Sequence, residues 1–204
     1  MPVSEATERR TKHILYGVSA LGFLGLAAVI FLFTQGGDTP SAAAAVRAAG
    51  CSIVEPPASE AQDHTEVTPK RSVYNTWPPT SGPHHPQYAP YDVYTDPVQQ
   101  LRLVHNLEHG AVVIQYGKDV PPAEVDKIVE WYRDDPNGLV VAPYPENGRN
   151  ITLGAWTTPD DEGRGTGHLA RYQRFEERAF DAFKNAYAFR GPERFPEEQL
   201  APGT

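Results

Sequence analysis

Between residues 56 and 90 the chain carries Pro56, Pro57, Pro69, Pro78, Pro79, Pro83, Pro86 and Pro90, a density that no regular element survives. Proline lacks the N–H that a helix or sheet ladder needs and clashes with the preceding turn, so a long helix or central strand is forbidden here. Only Ser72-Val73-Tyr74-Asn75 is free to pair briefly as a strand. So long a stretch without regular structure is either functional or disordered. Tyr74, Trp77, Tyr88, Tyr91 and Tyr94 argue for packing rather than disorder.

The rest of the chain has to build the core around this segment. Ser52 to Glu55 reads as a short strand stopped by Pro56. Asp96, Pro97 and Gly110 frame a helix, as N-cap, first helical residue and terminating glycine, with a strand starting at Leu101 as the alternative. Residues 111–116 form the best core strand, followed by a helix over 123–133 with Val125, Ile128, Val129 and Tyr132 at amphipathic spacing. Turn residues 135–138 lead to strands at 139–142 and 151–157. Residues 160–167, rich in glycine and charge, read as a surface loop, and His168 beside them as a surface residue. A last helix over 176–188 presents Ala179, Phe180, Phe183 and Tyr187 as one stripe. Strands and helices do not alternate regularly, which predicts an α+β domain with a small, mostly antiparallel sheet packed by helices.

Residues 14–33 contain no charge and match the roughly 20 residues a transmembrane helix needs. Arg9, Arg10 and Lys12 precede this run, so residues 1–13 are expected to be cytoplasmic and the rest extracytoplasmic in a single-pass protein of the cell membrane. The run exceeds a usual signal-peptide core, which favours an uncleaved anchor. Residues 34–50 read as a linker with a short Ala-rich helix from Ser41, residues 51–196 as the extracytoplasmic domain and residues 197–204 as a tail. Setting aside Arg9, Arg10, Lys12, Glu5 and Glu8 leaves 15 basic against 24 acidic residues outside the membrane. Such a surface repels nucleic acid and anionic headgroups, so neither is an expected ligand; the membrane is met through the N-terminal helix, and membrane-protein partners are open. Cys51 is the one cysteine, so no disulfide forms within the chain, and burial is the commonest fate of such a thiol.

Against this background His105-Asn106-Leu107-Glu108-His109-Gly110 stands out. On a helix His105 and His109 lie one turn apart on one face, as two imidazoles sharing an ion require, with Glu108 on the same side. The order H-x-x-E-H is also that of inverted zinc metallopeptidases, where the carboxylate is a general base. Gly110 ends the helix at once, however, and no third ligand is evident on another helix. The structural alternative is a His–Glu group that satisfies its own hydrogen bonds at a helix end. In Thr80-Ser81-Gly82-Pro83-His84-His85-Pro86 the prolines impose extended backbone, so only one of His84 and His85 faces any one site. That imidazole, or His64, would complete a three-histidine site of the kind zinc and copper favour.

The strings Asn75-Thr76-Trp77-Pro78-Pro79-Thr80-Ser81-Gly82-Pro83-His84, Val104-His105-Asn106-Leu107-Glu108-His109-Gly110 and Gly191-Pro192-Glu193 together resemble a bacterial family known as domain of unknown function 3105. The likeness runs over residues 50–196. It implies an exported or membrane-anchored protein, and that His84, His105, Glu108 and His109 belong to one site. It implies no reaction. The leading expectation is therefore an extracytoplasmic domain that binds copper or zinc through His105, His109 and one of His84, His85 or His64, with Glu108 as fourth ligand or supporting partner. A non-catalytic interaction domain or accessory subunit of a membrane complex is the alternative, and a metal-dependent hydrolase the third.

Overall fold

The structure is a computed structural model that describes residues 41–59, 63–158 and 165–204. The expected cytoplasmic segment and transmembrane run lie outside the described residues, among which no helix is long and apolar enough to cross a membrane. The elements run α1 (Ala42–Ala48), β1 (Ser52–Val54), α2 (Gln100–Glu108), β2 (Val112–Tyr116), α3 (Pro122–Asp134), β3 (Leu139–Pro143), β4 (Ile151–Thr157), β5 (Thr166–Tyr172) and α4 (Glu177–Tyr187).

The fold is α+β, with one five-stranded sheet in the order β1-β5-β4-β2-β3. The pairs β1–β5, β5–β4 and β4–β2 are antiparallel, whereas β2 and β3 are parallel. The sheet is mixed because α3 carries the chain across from β2 to β3, and a crossover of that length returns a strand in the same direction. With one βαβ unit and three antiparallel pairings out of four, the sheet is mostly antiparallel, as the irregular order of helices and strands predicts.

Successive strand residues point to opposite faces, and here both faces are covered. Val112, Ile114, Leu139 and Val141 join Ile128 and Tyr132 of α3 and Phe180 and Phe183 of α4. Val113, Val140 and Trp156 join Leu103, Val104 and Leu107 of α2, together with Tyr91 of the proline-rich segment. The central strands therefore read as continuous apolar runs. The proline-rich segment serves as part of a layer, and its aromatic residues are that layer's contribution to the core.

Three expectations need correcting. β5 occupies part of what read as a surface loop, and pairs along its length with β4. Gly167 gave the loop signal, but its missing side chain makes room for the proline-rich segment: a Cβ there would lie 2.3 Å from Thr80 Oγ1. Residues 72–75 form no strand, and a single 3-10 turn spans Arg71–Val73. Helix α2 starts at Gln100 behind Gln99, which makes no side-chain cap bond, so neither Asp96 nor Pro97 opens it.

The packed unit also reaches beyond residues 51–196. Ser41 Oγ accepts the Ala44 N–H at 3.2 Å and caps α1, whose Val46 is fully buried. At the other end Leu200 is buried, its carbonyl accepts the Gly138 N–H at 2.8 Å, and the Thr204 carbonyl accepts the Tyr91 N–H at 3.1 Å.

Residues 189–193 strap the end of α2. The Phe189 N–H donates to the Gly110 carbonyl at 2.8 Å and the Glu193 N–H to the Glu108 carbonyl at 2.9 Å. Between them Gly191 passes so close that a Cβ would sit 2.1 Å from the Glu108 carbonyl oxygen and 2.4 Å from the Gly110 nitrogen. Backbone cannot yield as a side chain does, so Gly191→Ala should destabilise the domain by about 2 kcal/mol or more. Thermal melts should show this as a fall of several degrees in Tm.

Candidate metal centre

Helix α2 supplies His105 and Glu108, and His109 follows as its C-cap with φ −75° and ψ −2°. Gly110 then turns the chain away at φ +94°, a conformation side chains resist. Leu107 points into the core, and Asn106 grips the proline-rich segment: its Oδ1 accepts the Ala89 N–H at 3.0 Å while its Nδ2 donates to the Ala89 carbonyl at 2.7 Å. Every residue from Leu103 to Gly110 is buried, so α2 lies sunk between sheet and loop.

The loop brings His84 to this helix. Tyr74 donates its hydroxyl to the Pro83 carbonyl at 2.8 Å, and Ser81 Oγ accepts the Ser59 N–H at 2.9 Å. These bonds fix the turn on which the fully buried His84 sits. A parallel bridge joins His64 to His84, with the Thr65 N–H donating to the His84 carbonyl at 2.7 Å. His64 stacks on His105, ring centroids 5.3 Å apart, yet is itself exposed.

Two ring nitrogens are held by backbone oxygens. His84 Nδ1 lies 2.8 Å from the Gly82 carbonyl and His105 Nδ1 lies 2.7 Å from the His85 carbonyl. A carbonyl oxygen only accepts, so each Nδ1 carries the hydrogen and each neutral ring turns a bare Nε2 lone pair inward. His84 Nε2 then faces Glu108 Oε2 at 2.8 Å, and His105 Nε2 faces His109 Nε2 at 2.9 Å. The His84–Glu108 contact is close without being aligned as a hydrogen bond. Both atoms are buried with no aligned partner among the described residues. The donor atoms of His64, His84 and His105 lie within 4.8 Å of one another, as do those of His105, Glu108 and His109. The two groups share His105.

Of the residues singled out in the sequence, His64, His84, His105, Glu108 and His109 are thus brought together. His85 is not. Its Nδ1 accepts the Gln87 N–H at 2.9 Å, and its contribution is the carbonyl that orients His105. Two residues escaped the sequence reading. Glu193 comes within 3.3 Å of His109 Nε2 from an exposed position; the Gly191-Pro192-Glu193 string was the available signal. Asn106 gave no signal, because its role depends on a loop 17 residues away.

A family model for a protein of unknown function (DUF3105) matches residues 66–201. The chain belongs to this family. The match takes in His84, His105, Glu108, His109 and Glu193, while His64 lies just before it. No curated protein and no solved structure matches the chain.

Within this DUF3105 domain the imidazoles differ in charge preference. Burial is the strongest influence on His84 and opposes its protonation, but contact with Glu108, the Gly82 carbonyl and the charges of Glu108 and Glu193 together raise its pKa. Burial lowers His105, helped by the nearby His84 and His64. Burial also lowers His109, to about 4, with His105 adding to the effect. His109 thus stays neutral, as a ligating imidazole must, well below neutral pH, and His105 is shifted in the same direction.

A base whose folded pKa is depressed binds its proton more readily in the unfolded chain, so its stability contribution is lost as pH falls through that window. His84, raised in the fold, has the opposite sign and loses its contribution as pH rises through its folded value. In chelator-treated protein, Tm should therefore fall as pH is lowered from about 6.5 toward 4. His109→Gln should flatten that slope; an unchanged slope would mean that His109 does not control it.

Proposed function

We propose that this domain binds a divalent transition metal, zinc or copper, through His84, His105 and His109 with Glu108 as fourth ligand or immediate support. The observation that carries the reading is the pair of backbone carbonyls on Nδ1 of His84 and His105, which leaves two buried Nε2 lone pairs converging on a carboxylate and a third imidazole. The Nε2 atoms of His105 and His109 can share one hydrogen, supplied by His109, while a neutral His84 has none to give Glu108; a cation among these atoms turns the contacts into ligation. Carbonyl-anchored histidines are the usual outer partners of a metal site, fixing tautomer and ring direction. Imidazole with carboxylate suits zinc or Cu(II), and no sulfur donor is in the group to favour Cu(I).

The reading continues with the apolar run at 14–33 as an anchor and the domain outside the membrane. In that position a site with one exposed imidazole, His64, suits sensing or handling of the metal, or a structural role in a membrane assembly. A second reading has its own support, since the charge preference of His84 allows a plain imidazolium–carboxylate pair with Glu108 that braces loop to helix. That pair would need no metal. Glu108 as general base of a hydrolase finds less support, because its carboxylate is buried against His84.

Metal analysis of the purified chain decides between these readings. The metal reading expects about one zinc or copper per chain, lost in His105→Ala/His109→Ala. It also expects a chelator to lower Tm by several degrees, because ligand at about 100 times its Kd adds roughly 2.7 kcal/mol. Metal-free protein that binds neither ion, with a Tm indifferent to chelator, would support the brace instead.

A further inference from the structure

A second polar group lies outside the candidate metal centre. His168 on β5, expected at the surface, is 6% exposed. Its Nδ1 is 3.0 Å from Glu55 Oε1 and its Nε2 is 2.8 Å from Thr157 Oγ1. A carboxylate accepts only, so the hydrogen sits on Nδ1 and Nε2 is the acceptor of the Thr157 hydroxyl. The order is hydroxyl, imidazole, carboxylate, the polarity in which a base takes a proton from a nucleophile while an acid orients the base. Tyr187 fixes the arrangement, its ring stacked on His168 at 3.9 Å and its hydroxyl donating to the same Glu55 oxygen at 2.8 Å. Burial, partly offset by Glu55, lowers the His168 pKa, so the ring is neutral and able to accept a proton.

A self-satisfied buried histidine would share these bonds, but this group opens on a cavity. Thr157, the half-buried last residue of β4, lines a space of about 480 Å³ together with Thr158, Thr166, Tyr187, Arg190 and Arg194. Arg194 is held there by a bond from Nη2 to the Thr158 carbonyl at 3.3 Å. Two arginines lining the same space as Thr157 are suited to an anionic substrate and to the negative charge that develops on a carbonyl oxygen under attack.

The geometry points to Thr157 as the nucleophile of an acyl-hydrolysing site, with His168 as base, Glu55 as its orienting acid, and an ester bearing a carboxylate or phosphate as substrate. Thr157 Oγ1 would bond to the acyl carbon as its proton passes to His168 Nε2. The ester C–O bond then breaks, and the alcohol leaves with that proton. Water, giving a proton to the same nitrogen, cleaves the threonyl ester; the proton returns to Oγ1 and the carboxylic acid is released. No oxidant, reductant or metal takes part, so this site is independent of the histidine cluster on α2.

The test incubates the full chain, in EDTA, with the 4-nitrophenyl half-ester of succinate and with 4-nitrophenyl butyrate, following nitrophenolate and mapping adducts by mass spectrometry. The expected result is an acyl adduct on Thr157, kept in Thr157→Ser and lost in Thr157→Val, whose branched shape preserves the strand. His168→Gln should slow acylation by ~100-fold or more. Arg190→Ala/Arg194→Ala should slow the succinyl ester and spare the butyryl ester. Folded wild-type protein that acquires no adduct at Thr157, or hydrolysis unaffected by Thr157→Val, would overturn the proposal. Equal slowing of both esters in the arginine variant would overturn its preference for anions.

Discussion

Two bonds from imidazole Nδ1–H groups to backbone carbonyls, His84 to Gly82 and His105 to His85, set the character of this domain. Both carbonyls belong to a segment that proline keeps from folding into anything regular; the first bond stays within that segment and the second reaches a buried helix. Without them each ring would be free to choose its tautomer, and the lone pairs of His84 and His105 would have no fixed direction. The rest of the structure holds the two bonds in place. Tyr74 fixes Pro83, Asn106 clamps Ala89, and the strap through Gly191 closes over the end of α2.

Burying three imidazoles and a carboxylate against a core of Leu107, Val113 and Trp156 is costly unless each polar atom finds a partner. The domain satisfies the outer nitrogens of His84 and His105 with backbone and leaves the inner atoms facing one another. Those inner atoms are what a cation would compensate. The surroundings are rigid for the same reason: a group that converges like charges or lone pairs holds its geometry only if the packing around it does not yield. A two-faced sheet under α2 and backbone contact over its end supply that packing.

Much of this was legible in the residues. The H-x-x-E-H spacing placed His105, Glu108 and His109 on one side of a helix, the stop at Gly110 was correct, and the prolines around His84-His85 implied that one ring alone would turn inward. Less legible was anything that depended on chain segments meeting from far apart. Asp96 and Pro97 carry local helix-start chemistry, yet α2 begins at Gln100, behind a Gln99 whose side chain makes no cap bond. Gly167 and its neighbours gave a loop signal, since nothing local shows that Thr80 fills the missing side chain. His168 reads as a surface residue beside a polar loop, and it is buried by its place in β5 beside β4 together with the Tyr187 ring of α4 stacked on it. Glu193, in Gly191-Pro192-Glu193, shows no role locally, because its neighbour His109 is distant in sequence.

The position of a bound ion decides whether the histidine cluster is a metal site. Crystals of the purified chain grown with zinc or copper and measured on both sides of the metal's absorption edge locate it directly. An anomalous peak at roughly 2 Å from Nε2 of His84, His105 and His109 is the predicted result. Its absence there, with His84 Nε2 and Glu108 paired as a hydrogen-bonded ion pair in the same crystals, would contradict it.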